Sequence, residues 1–268
     1  MISDNKKDWP KISIVMPSYN QSNFIEKSIQ SVISQDYQNK EFILIDGGSD
    51  DGTVEIIEKY SDKFDYFVSE SDRCQNEAVN KGMLKATGDY IGWLNSDDTY
   101  EPNALNKVGE YLRENPEIDL LYGQATHMDK EGNVLSWHAE PYDEDRLFHH
   151  RDIIPTQACF FRRKCLAYTG MLDTSLKWNG DWDLWRKFAK YFEVSFLDEH
   201  LGNWRIHDES ISYGEDRRLR SLETLKSAHT HSKRLIAPIE IRLIPYVLID
   251  LLHLRPRLRK VRDFIFSN

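Results

Sequence analysis

Two adjacent carboxylates, Asp97 and Asp98, follow a short apolar segment in the first half of the chain. The run ATGDYIGWLNSDD, residues 86–98, predicts a helix end, a tight glycine turn and a short strand that stops before these carboxylates. Ligands of open α/β sheets lie beyond the carboxyl ends of the strands, so reactive groups are expected here. Two carboxylates suit a divalent cation, and a cation suits a ligand that carries phosphates. A solvated turn or a helix cap is the alternative interpretation.

Polar residues also follow two other apolar segments. Pro17 and Tyr19 come after the strand predicted at residues 11–16, and Asp46 ends the strand predicted at residues 42–45. Asp46 can accept hydrogen bonds from a base or a ribose edge, and a plain Asx turn is the alternative. Polar groups at three strand ends of one sheet predict a single ligand site.

The elements that must position these residues alternate between strands and helices. Strands are predicted at residues 11–16, 42–45, 66–68 and 90–94, and helices at residues 24–33, 53–60, 76–86 and 103–114. Pro17 is expected to stop the first strand, and Thr53 to cap the second helix. Such alternation predicts an α/β fold with a mostly parallel sheet and helices on both of its faces.

The pattern changes after residue 123. Residues 126–137 predict a β-hairpin, residues 160 and 161 a short apolar segment, and residues 181–191 a helix with an acidic, tryptophan-rich start. His149 and His150 are expected in a loop, because adjacent histidines do not share one face of a helix or strand. Terminal helices broken by prolines are expected from about residue 224.

Charge is distributed unevenly along the chain. Residues 233–268 carry eight Lys or Arg against three acidic residues, a local charge of +5 within a total of −9, which leaves −14 for the rest. An acidic body argues against a nucleic-acid partner. The basic tail contains an apolar portion, so residues 238–268 predict either a peripheral membrane contact or a helix packed on the body or on another subunit.

Cysteine content and hydropathy bear on location. Cys74, Cys159 and Cys165 lack metal-ligand spacing, which favours a reducing cytosol. Residues 1–8 contain no apolar run that could act as a signal peptide, and no apolar segment approaches the roughly 20 residues that span a bilayer. We therefore expect a cytoplasmic protein, placed at the inner face of the cell membrane if the tail binds there.

Taken in order, the motifs resemble those of family 2, GT-A-type inverting glycosyltransferases. The matching segments are ISIVMPSYN (12–20), IDGGSDDGT (45–53), NKG (80–82), ATGDYI (86–91), LNSDD (94–98), GDWDLW (180–185) and WRIH (204–207). The resemblance covers roughly residues 10–212, and the ordered set is far more specific than any one motif. It implies a Rossmann-like GT-A domain over residues 1–232, with a nucleotide-binding half at about 10–124 and an acceptor half at about 125–232. Residues 233–268 would form a separate helical tail.

The resemblance also implies a role for each matching residue. Nucleotide-sugar binding would fall to Pro17, Tyr19, Asp46, Arg73, Asn80, Asn95 and Ser96. Asp97 would bind Mn²⁺ or Mg²⁺, with Asp98 beside it and His207 as a further contact to metal or phosphate. Asp181 would be the general base that takes the proton of the acceptor hydroxyl, and Asp183 is expected to be structural.

Several of these roles have structural alternatives. Arg73 could be an ordinary surface charge, Asp181 a first-turn carboxylate of its helix, and His207 a structural histidine. The indoles of Trp178, Trp182 and Trp185 could either form a wall on which sugars stack or pack in the core.

Two positions depart from the family pattern. Asn95 stands where the first acidic residue of an Asp-X-Asp motif is usual, which either lowers metal affinity or directs this residue to the ribose. Gly180 stands where an acidic residue commonly precedes the base.

The implied activity is metal-dependent, inverting transfer from a nucleotide sugar, with a UDP-sugar favoured, to a glycan or lipid-linked acceptor in surface polysaccharide biosynthesis. A non-catalytic nucleotide-sugar or glycan-binding protein is one alternative. A sugar nucleotidyltransferase is another, but its chemistry needs a glycine-rich, basic loop, and residues 17–21 contain no Gly, Lys or Arg.

Overall fold

The computed structural model describes residues 9–138, 140–150, 152–208, 210, 222–225, 227, 230 and 231. The predicted tail, residues 233–268, lies outside the described residues, and so does most of the region of predicted terminal helices. The domain boundary at residue 232 therefore stays a prediction. In the part of the chain that the structure describes, none of the helices has the length and apolar character needed to traverse a bilayer.

Nine strands and seven α-helices have both ends within the described residues, and the described residues from 222 to 231 are helical as well. The strands are β1 (Ile12–Ser18), β2 (Lys40–Asp46), β3 (Tyr66–Ser69), β4 (Tyr90–Trp93), β5 (Thr99–Tyr100), β6 (Leu120–Met128), β7 (Val134–His138), β8 (Cys159–Arg162) and β9 (Val194–Arg205). The helices are α1 (Ile25–Ile33), α2 (Thr53–Glu58), α3 (Gln75–Lys85), α4 (Ala104–Glu114), α5 (Glu144–His149), α6 (Leu166–Thr169) and α7 (Gly180–Ala189). All strands join one sheet in the order β3-β2-β1-β4-β8-β6-β9-β5, with β7 paired to β6.

The first four strands form the parallel part of the sheet, with β1 between β2 and β4. Every residue of β1 is buried, as expected for a strand covered on both faces. Ile12, Ile14 and Met16 pack in one hydrophobic cluster with residues of α1 and α4, whereas Val15 packs in a second cluster with residues of α3 and α7. Helices therefore cover both faces, as the sequence predicts.

The strand β1 continues through Pro17 to Ser18 instead of stopping before the proline. Its pairing with β4 ends at Val15, while its pairing with β2 continues to Ser18. The missing N–H of Pro17 therefore falls where one neighbouring strand has already ended, which is where a strand tolerates proline.

The second half of the sheet is mixed. Strands β6 and β8 are antiparallel, the predicted hairpin is formed by β6 and β7, and β9 runs parallel to β6. The twelve-residue β9 has no counterpart in the sequence prediction. Its register against β6 shifts on both sides of Gln124, and such irregularities interrupt the alternation by which a strand is recognised.

Two local expectations about helices were wrong. Thr53 is the first residue of α2 and not its cap, since Gly52 holds the cap position with φ of 96° and the Asp51 side chain accepts from the Thr53 backbone N–H. Both histidines were expected in a loop, but His149 lies in the last turn of α5 and is buried, whereas His150 follows the helix.

The Asp143 side chain caps α5 by accepting from the backbone N–H of Arg146.

Candidate active site

A cavity of about 590 Å³ lies at the carboxyl ends of β1, β2 and β4. Seven of the eleven residues to which the sequence analysis assigned a site role line it, namely Pro17, Tyr19, Arg73, Asn95, Ser96, Asp97 and Asp181. Asp46, Asn80, Asp98 and His207 are not among the described residues that line it. The fold thus brings Asp97 and Asp181, which are 84 positions apart in the sequence, to one cavity.

Asp97 is paired with His207 at the edge of this cavity. Asp97 Oδ2 lies 3.0 Å from His207 Nε2, and the imidazole is buried and packs 4.4 Å from the ring of Phe24, measured between ring centroids. His207 Nδ1 is buried without a hydrogen-bond partner in the described part of the chain. A carboxylate and an imidazole of this kind fit a divalent cation that takes its other ligands from a diphosphate and water. No group of three or more His, Cys, Asp or Glu with metal-binding geometry occurs among the described residues.

Asp98 turns away from the cavity and towards β9, so the structure does not place it beside Asp97 as a metal ligand. Its Oδ1 accepts from the backbone N–H of Arg205 at 2.8 Å, and its Oδ2 accepts from Asn95 Nδ2 at 3.3 Å. Burial raises the pKa of the Asp98 carboxyl well above its usual value, the charge of Asp97 raises it further, and these hydrogen bonds oppose both effects.

Asn95 lines the cavity, but protein partners occupy its polar atoms. Its Oδ1 accepts from Gln75 Nε2 at 2.8 Å and from Trp93 Nε1 at 2.9 Å, while Nδ2 donates to Asp98. A carboxylate at this position would lose the donor and place a second charge beside the buried Asp98. These contacts give a physical reason for the amide at this departure from the family pattern.

Asp46 lies beneath the cavity wall and is fully buried. Its Oδ2 accepts from the backbone N–H groups of Gly48 and Ser49 at 3.0 and 2.9 Å and from Ser69 Oγ at 2.7 Å, and its Oδ1 accepts from Ser49 Oγ at 2.5 Å. This is the arrangement of the Asx-turn alternative. Instead of pointing into the cavity, the carboxylate shapes the loop whose Gly47 and Gly48 line it.

Asn80 binds the backbone of Leu172 twice. Its Nδ2 donates to the Leu172 carbonyl at 2.9 Å, and its Oδ1 accepts from the Leu172 N–H at 3.0 Å. The side chain expected near the ribose or diphosphate thus fastens α3 to the segment that leads towards Asp181.

Three other predicted nucleotide contacts, Tyr19, Arg73 and Ser96, line the cavity, the first two at its exposed mouth. Tyr19 is 62% exposed, and Arg73 is exposed and forms an i,i+4 ion pair with Glu77 at 2.9 Å. Ser96 is buried, and its carbonyl accepts from Ser28 Oγ at 2.8 Å. Exposed groups at the mouth can change partners when a ligand enters, because surface ion pairs contribute little to stability.

Asp181 is the second residue of α7, in the helix turn where negative charge is favoured. Its Oδ2 accepts from Thr156 Oγ at 3.0 Å, and its Oδ1 accepts from the backbone N–H of Trp182 at 2.7 Å. Both bonds orient the carboxylate, which lines the cavity.

Asp152 is a neighbour of Asp181 that sequence analysis missed. Burial raises the pKa of Asp152 well above its usual value, the charge of Asp181 raises it further, and Arg186 opposes the increase. Its backbone partner is Ile154, whose N–H donates to Asp152 Oδ1 at 3.0 Å. A lone acidic residue that follows two histidines and an arginine gives no sequence signal of this proximity.

Gly180, the second departure from the family pattern, is explained by Asn76. A Cβ at residue 180 would lie 2.4 Å from Asn76 Nδ2, closer than real contacts allow. Asn76 is held by bonds from its amide to the carbonyls of Asp173 and Leu176, at 3.0 and 2.8 Å. Any side chain at 180 would displace this buried amide.

The three tryptophans near Asp181 divide between the two interpretations. Trp182 and Trp185 are buried in the core, and Trp182 Nε1 donates to the Leu147 carbonyl at 2.8 Å. Trp178 lines the cavity, as does Trp204 on β9. Of Trp178, Trp182 and Trp185, only Trp178 is therefore placed where a sugar could stack on its indole.

The chain is similar in sequence to known glycosyltransferases. The model of "Glycosyl transferase family 2" matches residues 13–169, more than half of the chain. An uncharacterized glycosyltransferase of Rickettsia typhi is 31% identical over 232 residues, covering 81% of this chain and 71% of its own. The chain spans between 31% and 71% of the length of the rickettsial relatives it matches.

Several solved structures share the fold, and two of them contain a nucleotide sugar. S. aureus TarS (residues 1–349), in complex with UDP-GlcNAc, superposes with a TM-score of 0.64 at 20% identity, over 80% of this chain and 66% of that one. The mannosyltransferase PcManGT from Pyrobaculum calidifontis, in complex with GDP-Man and Mn²⁺, gives a TM-score of 0.62 at 15% identity, over 89% and 69% of the two chains.

Proposed function

The chain belongs to glycosyl transferase family 2, and from this premise we propose that it transfers a sugar from a nucleotide donor to an acceptor hydroxyl with inversion at the anomeric carbon. The favoured donor is a UDP-sugar, and the acceptor is a glycan or lipid-linked glycan of a surface polysaccharide. The observation that carries the proposal is the shared cavity, which has Asp97 on its nucleotide side and Asp181 at the start of α7.

The donor side of the proposed site is built from the loops after β1, β2 and β4. Pro17, Tyr19 and Gly47 would surround the nucleotide, and Arg73 at the mouth would approach the diphosphate. Asp97 and His207 would hold Mn²⁺ or Mg²⁺, which when bound neutralises negative charge on the departing diphosphate. That PcManGT was solved with Mn²⁺ supports the choice of cation.

The acceptor side depends on Asp181. Its carboxylate takes the proton from the acceptor hydroxyl, the hydroxyl oxygen forms a bond to the anomeric carbon, and the bond from that carbon to the phosphate oxygen breaks. The nucleoside diphosphate leaves with the electron pair of the broken bond. Thr156 and the Trp182 N–H hold the base in place, and a positioned base of this type contributes about 10²–10⁴ in rate.

Two single substitutions test the proposal with a panel of UDP-glucose, UDP-N-acetylglucosamine and GDP-mannose in Mn²⁺. Asp181→Asn should keep nucleotide binding but lower turnover of the donor by about 10²–10⁴, since only the base is lost. Asp97→Ala should lose Mn²⁺-dependent nucleotide binding, measured by calorimetry with and without the metal. Asp50→Asn, an exposed carboxylate outside the proposed machinery, serves as the matched control.

The outcomes separate the alternatives. Full activity of Asp181→Asn removes that residue as the base. Tight nucleotide-sugar binding without turnover of any donor favours the non-catalytic binding protein. Release of pyrophosphate from a nucleoside triphosphate and a sugar phosphate would favour the nucleotidyltransferase. A preference for GDP-mannose overturns only the choice of a UDP-sugar as donor and leaves the proposed sugar transfer standing.

A further inference from the structure

A carboxylate far along the chain holds the loop that precedes Asp181. Glu223 lies in a short segment whose described residues are 222–225, 227, 230 and 231, here named the clasp segment. Its Oε2 accepts from the backbone N–H of Lys177, and its Oε1 accepts from those of Trp178 and Asn179, each at 2.7 Å. Asn179 Nδ2 adds a fourth bond at 3.1 Å. Such charge-assisted bonds are stronger than neutral ones.

The loop held in this way is part of the cavity. Lys177 and Trp178 line it, and Gly180 and Asp181 follow directly as the first residues of α7. Asn179 stands at the cap position of α7, yet its side chain makes no cap hydrogen bond within the helix. Its Oδ1 instead accepts from Thr224 Oγ at 3.3 Å. The Glu223 carboxylate therefore fixes the backbone next to the positive end of α7, where the helix dipole favours a negative charge.

Other contacts fasten the clasp segment along α7. Arg186 donates to Ser227 Oγ at 3.1 Å, and His231 Nε2 lies 2.6 Å from Asp183 Oδ1. Both Asp183 and Arg186 are buried. Asp183 and Arg186 lie two and five residues beyond Asp181 in α7. Because these contacts do not involve Glu223, they can hold the clasp segment on α7 when the bonds of Glu223 are removed.

We infer that Glu223 is a positioning residue for the acceptor side of the cavity. By holding residues 177–179 it sets where Trp178 and Asp181 stand relative to an incoming hydroxyl, while the donor side is built from other loops. This inference rests on the proposed function for its consequence in catalysis, but the placement of the loop can be measured without turnover. A misplaced base lowers the reaction rate more than it lowers donor binding.

The test uses the full chain with Glu223→Gln, which removes the charge and turns an amide group towards the loop N–H groups. Amides of residues 177–179 should exchange hydrogen at least tenfold faster than in the wild type. Hydrolysis of whichever panel donor the wild type turns over should show a kcat lowered about tenfold, with the donor KM unchanged within twofold. Glu58→Gln, an exposed charge-matched control on α2, should change none of these.

Two further variants keep the result decisive. Ser227→Ala removes the contact to Arg186 without touching the loop, so exchange at residues 177–179 should match the wild type. Glu223→Asp keeps the charge with a shorter reach, and its amides at residues 177–179 should exchange at an intermediate rate. This variant replaces Glu223→Gln in the test if Glu223→Gln does not fold. Unchanged exchange in both Glu223 variants overturns the inference, as does a donor KM that moves as far as kcat. Absence of donor turnover by the wild type counts against the proposed function alone, because the exchange result still decides the role of Glu223.

Discussion

Arg205 shows how much of this site is built by residues that do not line the cavity. Its backbone N–H binds Asp98, its Nε donates to the Asp97 carbonyl at 2.8 Å, and a terminal nitrogen donates to the carbonyls of Asp129 and Lys130 at 3.2 and 3.1 Å. The guanidinium is almost fully buried, and burial lowers its pKa, opposed by the nearby carboxylates. A single side chain thus joins the proposed cation site to the turn between β6 and β7.

The carboxyl pair of Asp152 and Asp181 leads to a prediction about pH. An unfolded aspartate titrates near 3.9, whereas Asp152 in the folded chain titrates well above this, mainly because it is buried. The folded state therefore binds the extra proton, and Asp152 lowers stability progressively as the pH rises from about 4 through its folded pKa.

Asp152→Asn removes that titration and keeps the oxygen that accepts from the Ile154 N–H. We expect the variant to melt higher than the wild type at pH 7–8, by about 2–4 °C for each kcal/mol relieved, with the difference shrinking towards pH 4. Thermal melts across this range check the prediction, with Asp50→Asn as the control. A difference that does not vary with pH would contradict it.

At the scale of elements, the match to GT-A structures confirms the α/β fold, the mostly parallel sheet and the helices on both faces that the sequence predicts. The close contact between α3 and β1 is a specific example of how these layers are held. A Cβ added at Gly82 of α3 would lie 2.3 Å from Val15 Cγ1 of β1. Glycine lets the helix approach the central strand, and the same helix carries Asn76 and Asn80 towards the loop before Asp181.

Gly82→Ala should destabilise the protein. Overpacking costs about 1–3 kcal/mol, partly offset by about 1 kcal/mol from the better helix propensity of alanine. Urea unfolding should show a lower midpoint, whereas Leu84→Ala, at an exposed position of the same helix, should stay near the wild type. Combining Gly82→Ala with Val15→Ala makes room for the methyl group, so the cost of the alanine at 82 should largely vanish in that background. An equal cost in both backgrounds would refute the packing explanation.

At the scale of the whole molecule, the basic tail, unlike the acidic body, carries the charge that favours binding to an anionic membrane surface. The tail lies outside the described residues, so the peripheral membrane contact of residues 238–268 is a proposal from charge and hydropathy alone. Exchanging Arg255, Arg257, Arg259 and Lys260 for glutamine in the full chain should weaken sedimentation with vesicles that contain phosphatidylglycerol at least tenfold, since each basic residue contributes about 1 kcal/mol near an anionic surface.

The control for this prediction removes the same charge from the body. Glutamine at Lys27, Lys59, Lys63 and Lys85, all exposed on the body, should leave vesicle binding nearly unchanged. Vesicles of phosphatidylcholine alone should bind neither protein. Equal binding by the tail variant and the wild type would favour the other interpretation, a tail packed on the body or on another subunit.

The sequence by itself determined the four parallel strands and the four helices of the first 115 residues, because buried strands and amphipathic helices there have clear periodicity, but it did not predict the two-residue β5. It also determined the family, because the strand-end motifs occur in a fixed order. It could not place β9, whose alternation is broken by register shifts, nor foresee that Asn80 and Asp98 are held by other parts of the protein. Those partners lie on other strands and loops, and motif spacing carries no information about the direction of a side chain.

Only the tertiary structure decided which polar groups face the cavity and which hold its walls. Asp97 and Asp181 share one cavity because the carboxyl end of β4 and the first turn of α7 meet there. Glu223, Asp152 and Arg205 act on the site through contacts between residues far apart in the chain. Buried polar groups must find partners wherever the fold supplies them, so their roles are set by packing and not by local sequence.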